Sequence, residues 1–376
     1  MAGIYIHIPF CKKACHYCNF HFSTSLTLKE QLIHCLIKEL ELQKNYLIDP
    51  IETIYFGGGT PSLLTISEIE AILKAIYSNF KIEDNVEITL EANPDDISEI
   101  KLNEYKLKGI TRFSLGVQSF IDRDLLWMNR THNATQSIHS IELIKKAGFN
   151  NFSIDLIYGS SELTNEEWIS NIQLTLKNNI PHISAYALTV EPKTALESFI
   201  NKNKSKPIHL EKQAEQFEIL MELLKEEGFE HYEISNFAKP GFRSKHNSSY
   251  WKRKQYLGIG PSAHSYNKKS RQWNIANNAL YIKSLEKNII PFEQEILTTT
   301  QQINEYIMIS LRTMEGCSLQ YINEEFGEIF FLQMNENAKK YIQQHLIEKH
   351  NDLLILTAKG KLLADKISAD LFFEEN

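Results

Sequence analysis

Long apolar runs are missing from this chain. No stretch approaches the roughly 18 apolar residues that a membrane-spanning helix requires, and the opening MAGIYIHIPFCKK has no cationic segment followed by the apolar core of a secretory signal. No stable membrane insertion is expected, and the expected compartment is the cytoplasm. Cysteine is scarce, with five among 376 residues, and an odd number does not suit a disulfide framework. A strong charge imbalance is also absent. The 40 Lys and Arg residues face 47 Asp and Glu, a net charge of −7, so the basic footprint of a nucleic-acid binder is lacking and no nucleic-acid partner is expected. There is no low-complexity tract and no internal repeat. With 43% apolar and 23% charged residues the chain is globular, and its length suits one large domain plus a small one.

The first half alternates short β-rich runs with amphipathic stretches, which predicts an α/β fold of parallel strands joined by crossover helices. Six strands are expected: 3–9, 53–59, 86–92, 112–118, 152–159 and 182–188. Helices are expected over 28–46, 67–79, 135–147 and 165–178, and another over 209–227 after a polar break at 200–207. Beyond about residue 280 helices dominate (301–314, 318–326, 331–348 and 358–372) around a short DLLILT strand, a small winged-helix-like module expected to dock on the rest. The expected division is therefore a core over 1–240, a linking segment over 241–280 and a C-terminal domain over 281–376.

Three cysteines crowd together immediately after the first expected strand, as Cys11, Cys15 and Cys18 in a C-x3-C-x2-C spacing. Three thiolates so placed suit three irons of a cubane, leaving the fourth iron open to another ligand. A zinc site completed by His7, His16 or His21 is the alternative. Cys35, in an apolar helical stretch, and Cys317, in a turn-like EGCS, read as structural.

This spacing, with the aromatic Tyr17 before the last cysteine, resembles the radical S-adenosylmethionine superfamily. The resemblance implies a partial (βα)6 TIM-like barrel, a [4Fe-4S] cluster on Cys11, Cys15 and Cys18, and S-adenosylmethionine held at the open iron and cleaved to a 5′-deoxyadenosyl radical by an electron from a reductant protein. A second match, Gly57-Gly58-Gly59-Thr60-Pro61, follows the next strand. In that family it receives the amino group of the cofactor; read alone, it is equally a tight turn.

YIHIPFC, GGGTPS, LEANPDD, RFSLGVQSF, MNRTHN and IDLIYG, in that order, are similar to the oxygen-independent coproporphyrinogen III oxidase group over nearly the whole chain. The resemblance places Tyr5, Gly58, Glu91, Gln118, Arg130 and Asp155 on positions that contact S-adenosylmethionine, with Gly59, Thr60, Tyr186 and Ala187 beside them. Such residues suit the task, because carboxylates accept from hydroxyls or ammonium and Arg130 can grip a carboxylate bidentately. Most are expected at strand C-terminal ends, where βα barrels carry their sites.

Two features depart from the oxidase. Its fourth cysteine, two residues after the triplet, is replaced by Phe20, and His246-Asn247-Ser248-Ser249-Tyr250-Trp251 matches the HNxxYW signature of the HemW-type haem chaperones. The resemblance then implies haem as a further cofactor and an acceptor haemoprotein as partner, with a homodimer conceivable. His246 is the candidate for haem iron, with Tyr250 and Trp251 against the macrocycle, and His264 is a second candidate. These three motif residues read equally as core aromatics beside a satisfied histidine. The alternatives are a coproporphyrinogen III oxidase that decarboxylates its substrate to protoporphyrinogen IX, and a zinc-stabilised binding module.

Overall fold

A computed structural model describes residues 1–374, so residues 375 and 376 of the expected C-terminal domain lie outside it. The six expected strands are present: β1 (Ala2–Ile8), β2 (Ile51–Gly58), β3 (Ile82–Ala92), β4 (Arg112–Gln118), β5 (Phe152–Tyr158) and β6 (His182–Ala187). They pair in sequence order and in parallel, the wrapped arrangement that crossover helices impose. Helices Lys29–Leu42, Ile66–Asn79, Ala134–Lys146 and Asn165–Lys177 form the crossovers foreseen. Three of these start at capping boxes, Thr65 with Glu68, Asn133 with Gln136 and Thr164 with Glu167, which satisfy the first free amides.

Alternation along the strands sorts the side chains. Ile4, Ile6, Ile54, Phe56, Ile88, Leu90, Phe113, Leu115, Ile154 and Leu156 are buried in the main core. The residues between them point the other way and are largely polar: Thr53, Glu87, Glu91, Arg112, Ser114, Asp155, His182 and Ser184. The barrel interior is thus polar and the apolar core lies between strands and helices.

The sheet extends beyond the six strands on both flanks. Beside β6 lie β8 (Asn236–Ala238) and β7 (Glu230–Glu233); beside β1 lie β9 (Gln255–Ile259), β10 (His264–Tyr266), β11 (Ser270–Asn274) and β12 (Phe292–Ile296). Of these only β9 pairs in parallel. The stretch 241–280, expected as a link, instead supplies the helix Lys245–Trp251 and three strands to this sheet, and the sheet runs on to Ile296. Its strands are three to five residues long and carry few adjacent apolar residues, which is why no β signal stood out.

The C-terminal helices form a second core around Ile303, Ile307, Leu311, Ile322, Met334, Leu354 and Ile367. β13 (Cys317–Ser318), β14 (Ile347–His350) and β15 (Leu353–Leu356) make a small antiparallel sheet beside them. The helix expected over 331–348 runs Glu328–Gln343, starting at Gly327 with φ of 105°, and the one expected over 358–372 is split into Ala358–Lys361 and Ala364–Asp370. Cys317 is wholly buried in this core, its thiol pushed up to about 12 by burial, and Cys35 is buried in the main core. This module covers the β7 edge, where the Ile234 amide donates to the Arg312 carbonyl (3.0 Å) and the Met314 amide to the Tyr232 carbonyl (3.1 Å). Among the described residues, no helix is long and apolar enough to cross a membrane.

Candidate functional site

Cys11, Cys15 and Cys18 lie on the loop between β1 and the first helix, and the neighbouring motifs hold that loop. The Cys11 amide donates to the Ser23 carbonyl (3.0 Å) and the Ser23 amide to the Pro9 carbonyl (2.9 Å), which closes the loop at its base. From the MNRTHN segment, the Asn129 side chain donates to the Ala14 carbonyl (2.6 Å), and His16 Nδ1 donates to the Trp127 carbonyl (2.7 Å). Lys12 pairs with Asp95 (2.7 Å) and Asp96 of LEANPDD. The Gly59 and Thr60 amides donate to the Ile8 and Phe10 carbonyls (2.9 and 2.7 Å), so the GGGTP turn braces the start of the loop. Gly58 has φ of 108°, and a Cβ there would meet the His7 ring at 2.6 Å; one at Gly59 would meet the Phe10 carbonyl at 2.6 Å. Close packing alone therefore requires both glycines.

A cavity of about 540 Å³ opens above the strand ends. It is lined by Cys11, Cys15, Tyr17, Cys18, Gly58, Gly59, Thr60, Glu91, Gln118, Arg130, Asp155, Tyr186 and Ala187, and its volume is that of a site for a nucleoside-sized ligand. Phe20, at the place of the oxidase's fourth cysteine, is 68% exposed at the rim. Five residues singled out from the sequence for the cofactor or haem lie elsewhere, His264 among them at the start of β10. Tyr5 is beneath the floor, stacked on Tyr55 at 6.0 Å. His246, Tyr250 and Trp251 are at the opposite, N-terminal end of the strands.

Arg130 ties the cavity wall to the cysteines. Its Nη1 donates to Cys15 Sγ (3.2 Å) and its Nη2 to Asn93 Oδ1 (2.6 Å) and the Gly116 carbonyl (2.9 Å), while Nε is buried with no partner among the described residues. Opposite, Glu91 accepts from Tyr55 (2.7 Å) and the Gly58 amide (3.2 Å), and Asp155 accepts from Ser114 (3.2 Å). Burial, with Asp155 nearby, pushes Glu91 up to about 7; burial, opposed by its hydrogen bonds to Ser114 and Ser184, leaves Asp155 at about 6. Burial also pushes the Cys11 thiol up to about 11 and raises that of Cys18. Two half-buried carboxylates with raised pKa values and an orphaned guanidinium donor form a wall prepared for a charged ligand that the protein alone does not supply.

Three free thiols on one loop have the chemistry of iron–sulfur ligands. Among the described residues, no three His, Cys, Asp or Glu side chains converge so as to hold a single metal ion. His7 is bonded through both ring nitrogens, to Tyr5 (3.2 Å) and the His21 carbonyl (3.0 Å), whereas His21 is bonded through Nε2 to Asn278 (2.7 Å) and His16 through Nδ1 to the Trp127 carbonyl (2.7 Å). Asn93 and Ser114 line the cavity and were not singled out; Asn93 sits within the quoted LEANPDD, where its bonds to Arg130 and Thr60 (3.4 Å) make it a strut.

The expectation that His246 meets haem iron is not met by this arrangement. His246 is 2% exposed, with Nδ1 hydrogen-bonded to Thr53 (2.8 Å) and Nε2 to Tyr250 (2.9 Å), and its backbone amide donates to Glu87 (3.2 Å). Both ring nitrogens that could ligate iron are occupied, and the ring packs on Tyr55 at 4.9 Å inside the barrel. Tyr250 stands edge-on to His246 and Tyr256, and Trp251 lies under Arg312 at the junction with the C-terminal module.

Comparison with known proteins gives the lineage. The Radical SAM superfamily profile matches residues 5–175, and the HemN C-terminal domain profile matches residues 297–363. The heme chaperone HemW of Lactococcus lactis is 35% identical over 369 residues, 96% of this chain and 95% of that protein. That of Bacillus subtilis is 35% identical over 376 residues, 98% of each. This chain belongs to the HemW family of radical SAM proteins. In fold it matches the coproporphyrinogen III oxidase HemN of Escherichia coli with a TM-score of 0.85, at 21% identity, over 99% of this chain and 90% of that one. HemW and HemN thus share the architecture, and the fold match alone does not separate chaperone from oxidase.

Proposed function

We propose that this HemW-family chain is a haem chaperone. It holds a [4Fe-4S] cluster on Cys11, Cys15 and Cys18, holds S-adenosylmethionine in the adjoining cavity, and binds haem for delivery to an acceptor haemoprotein in the cytoplasm. What carries the reading is kinship with heme chaperones over the full length of the chain. Phe20 in place of a fourth cysteine supports it.

When bound, the cluster and S-adenosylmethionine supply one-electron reduction and homolytic cleavage of the sulfonium. The chain's residues would divide the work of binding. Arg130 offers its unpaired Nε and its positive charge to the carboxylate of the cofactor, and Glu91 and Asp155 accept from its hydroxyl or ammonium groups. Gln118, Tyr186 and Ala187 bound the nucleoside end, Gly58, Gly59 and Thr60 the methionine end, and Tyr17 shields the cluster from water. A reductant protein supplies the electron.

Anaerobic reconstitution with iron and sulfide tests this reading. It predicts about four irons per chain, S-adenosylmethionine binding, and no protoporphyrinogen formed from coproporphyrinogen III. Product formation would make the chain an oxidase, and zinc with no sulfide would make it a zinc module.

A further inference from the structure

His246 is enclosed, so the haem-iron contact must be sought elsewhere, and the extra strands beside β1 offer a place. Parallel partners face the same way and successive residues alternate. Tyr5 and Gly3 face the barrel interior, where they meet Tyr55 and His246, and their partners on β9 are Gly258 and Tyr256. Tyr256 pairs with Tyr266 on β10, placing Tyr266 on the same concave side. Two residues earlier, the chain at His264 curls over that side: a Cβ on Gly258 would lie 2.1 Å from the His264 carbonyl.

β10 runs antiparallel to β9, so its first residue, His264, is at the strand end where the cysteine loop leaves β1. His264 is near enough to His7 for the two to influence each other electrostatically. It stands opposite Trp273 on β11, with the rings stacked at 6.1 Å and 28°. Of His7, His16, His21 and His264 at this end, His7 is bonded through both ring nitrogens, and His16 and His21 through one each. His264 is exposed, and no described residue hydrogen-bonds to its ring.

The mount of His264 is rigid. The turn before it is fixed by Glu39, a fully buried carboxylate that accepts from the Gly260 amide (2.9 Å), from Asn274 (2.7 Å) and from Tyr281. Asn274 also donates to the Gly260 carbonyl (2.9 Å). A free imidazole held on a stiff turn beside an indole face, on the open side of a partial barrel, has the parts that bind a planar iron macrocycle.

We infer that haem iron is taken up by His264, with Trp273 against the macrocycle, on the open concave face beside the cluster cavity. This rests on the haem-chaperone reading. Haem held there lies near the cluster, whereas His246 closes the far end of the barrel.

The test is haemin titration of the reconstituted full chain, followed by optical and EPR spectra, for wild type, His264→Ala and Trp273→Phe. His264 is exposed, so its variant should fold and keep wild-type iron and sulfide. Wild type should show a histidine-ligated spectrum. His264→Ala should lose that signature and bind haemin at least about tenfold more weakly, the scale on which metal sites respond even to loss of an outer partner, and added imidazole should restore the spectrum. Trp273→Phe should keep the ligation and weaken binding less. If wild type binds haemin and His264→Ala matches it in spectrum and affinity, His264 is not the ligand and the chaperone reading stands. If wild type binds no haemin, that reading itself fails.

Discussion

Replacing His246 by alanine should destabilise the barrel rather than remove a ligand, and the loss should depend on pH in a particular sense. The ring fills space between Tyr55 and Tyr250 and is bonded by both nitrogens. Its removal leaves a cavity and strands the buried Thr53 and Tyr250 hydroxyls, which together cost about 3–5 kcal/mol at pH 7.5. Burial, with Arg112 nearby, lowers the His246 pKa from 6.5 to about 3. The unfolded chain therefore binds a proton at His246 below pH 6.5 while the folded chain does not, so the ring's contribution is complete above 6.5 and declines as pH falls towards 3. At about 1.4 kcal/mol per pH unit, the gap between wild type and variant should narrow by about 2 kcal/mol between pH 6.5 and pH 5. Urea unfolding at pH 7.5 and 5.0, followed by tryptophan fluorescence, measures it. A gap below about 1 kcal/mol at pH 7.5, or one that widens in acid, would refute the structural role.

Three further outcomes follow from the site. Arg130→Lys replaces a fork that bonds Cys15, Asn93 and Gly116 at once, and should weaken S-adenosylmethionine binding by about 1–3 kcal/mol in calorimetry while the cluster still assembles. Gly58→Ala puts a Cβ into the His7 ring at φ of 108°, and should lower barrel stability by about 1–3 kcal/mol in urea unfolding, with or without cofactor. Cys15→Ala should abolish the cluster, read as lost visible absorbance and acid-labile sulfide, and should leave haemin bound with a histidine-ligated spectrum; loss of both would mean that the two sites are one.

The six parallel strands were legible because each pairs an apolar outward row with crossover helices whose spacing and capping boxes are plain. The flanking strands were not. Segments such as NFA, HSY and SRQWN are short and mixed in character, and they become strands only because the edges of the parallel sheet offer unpaired amides and carbonyls. The cavity was legible for a related reason: its residues follow strand ends in motif order, so knowing the barrel places them together. Register along the sequence does not reveal which end of the barrel a later helix will close. Lys245–Trp251 reaches the N-terminal end because Glu87 takes its first amides and Thr53 meets His246, contacts made by residues more than 150 positions away in the chain. Asn93 was within reach, since an amide inside a strand-end motif is an obvious partner for an arginine that must be held in place.

Haem transfer tests the central claim most directly. The reconstituted protein, loaded with one equivalent of haemin and repurified, should pass the haem to an apo-haemoprotein at a rate exceeding that of free haemin loss, with the Soret band moving to that of the acceptor. Haem that stays bound, or that leaves no faster with the acceptor present than without it, would contradict a chaperone.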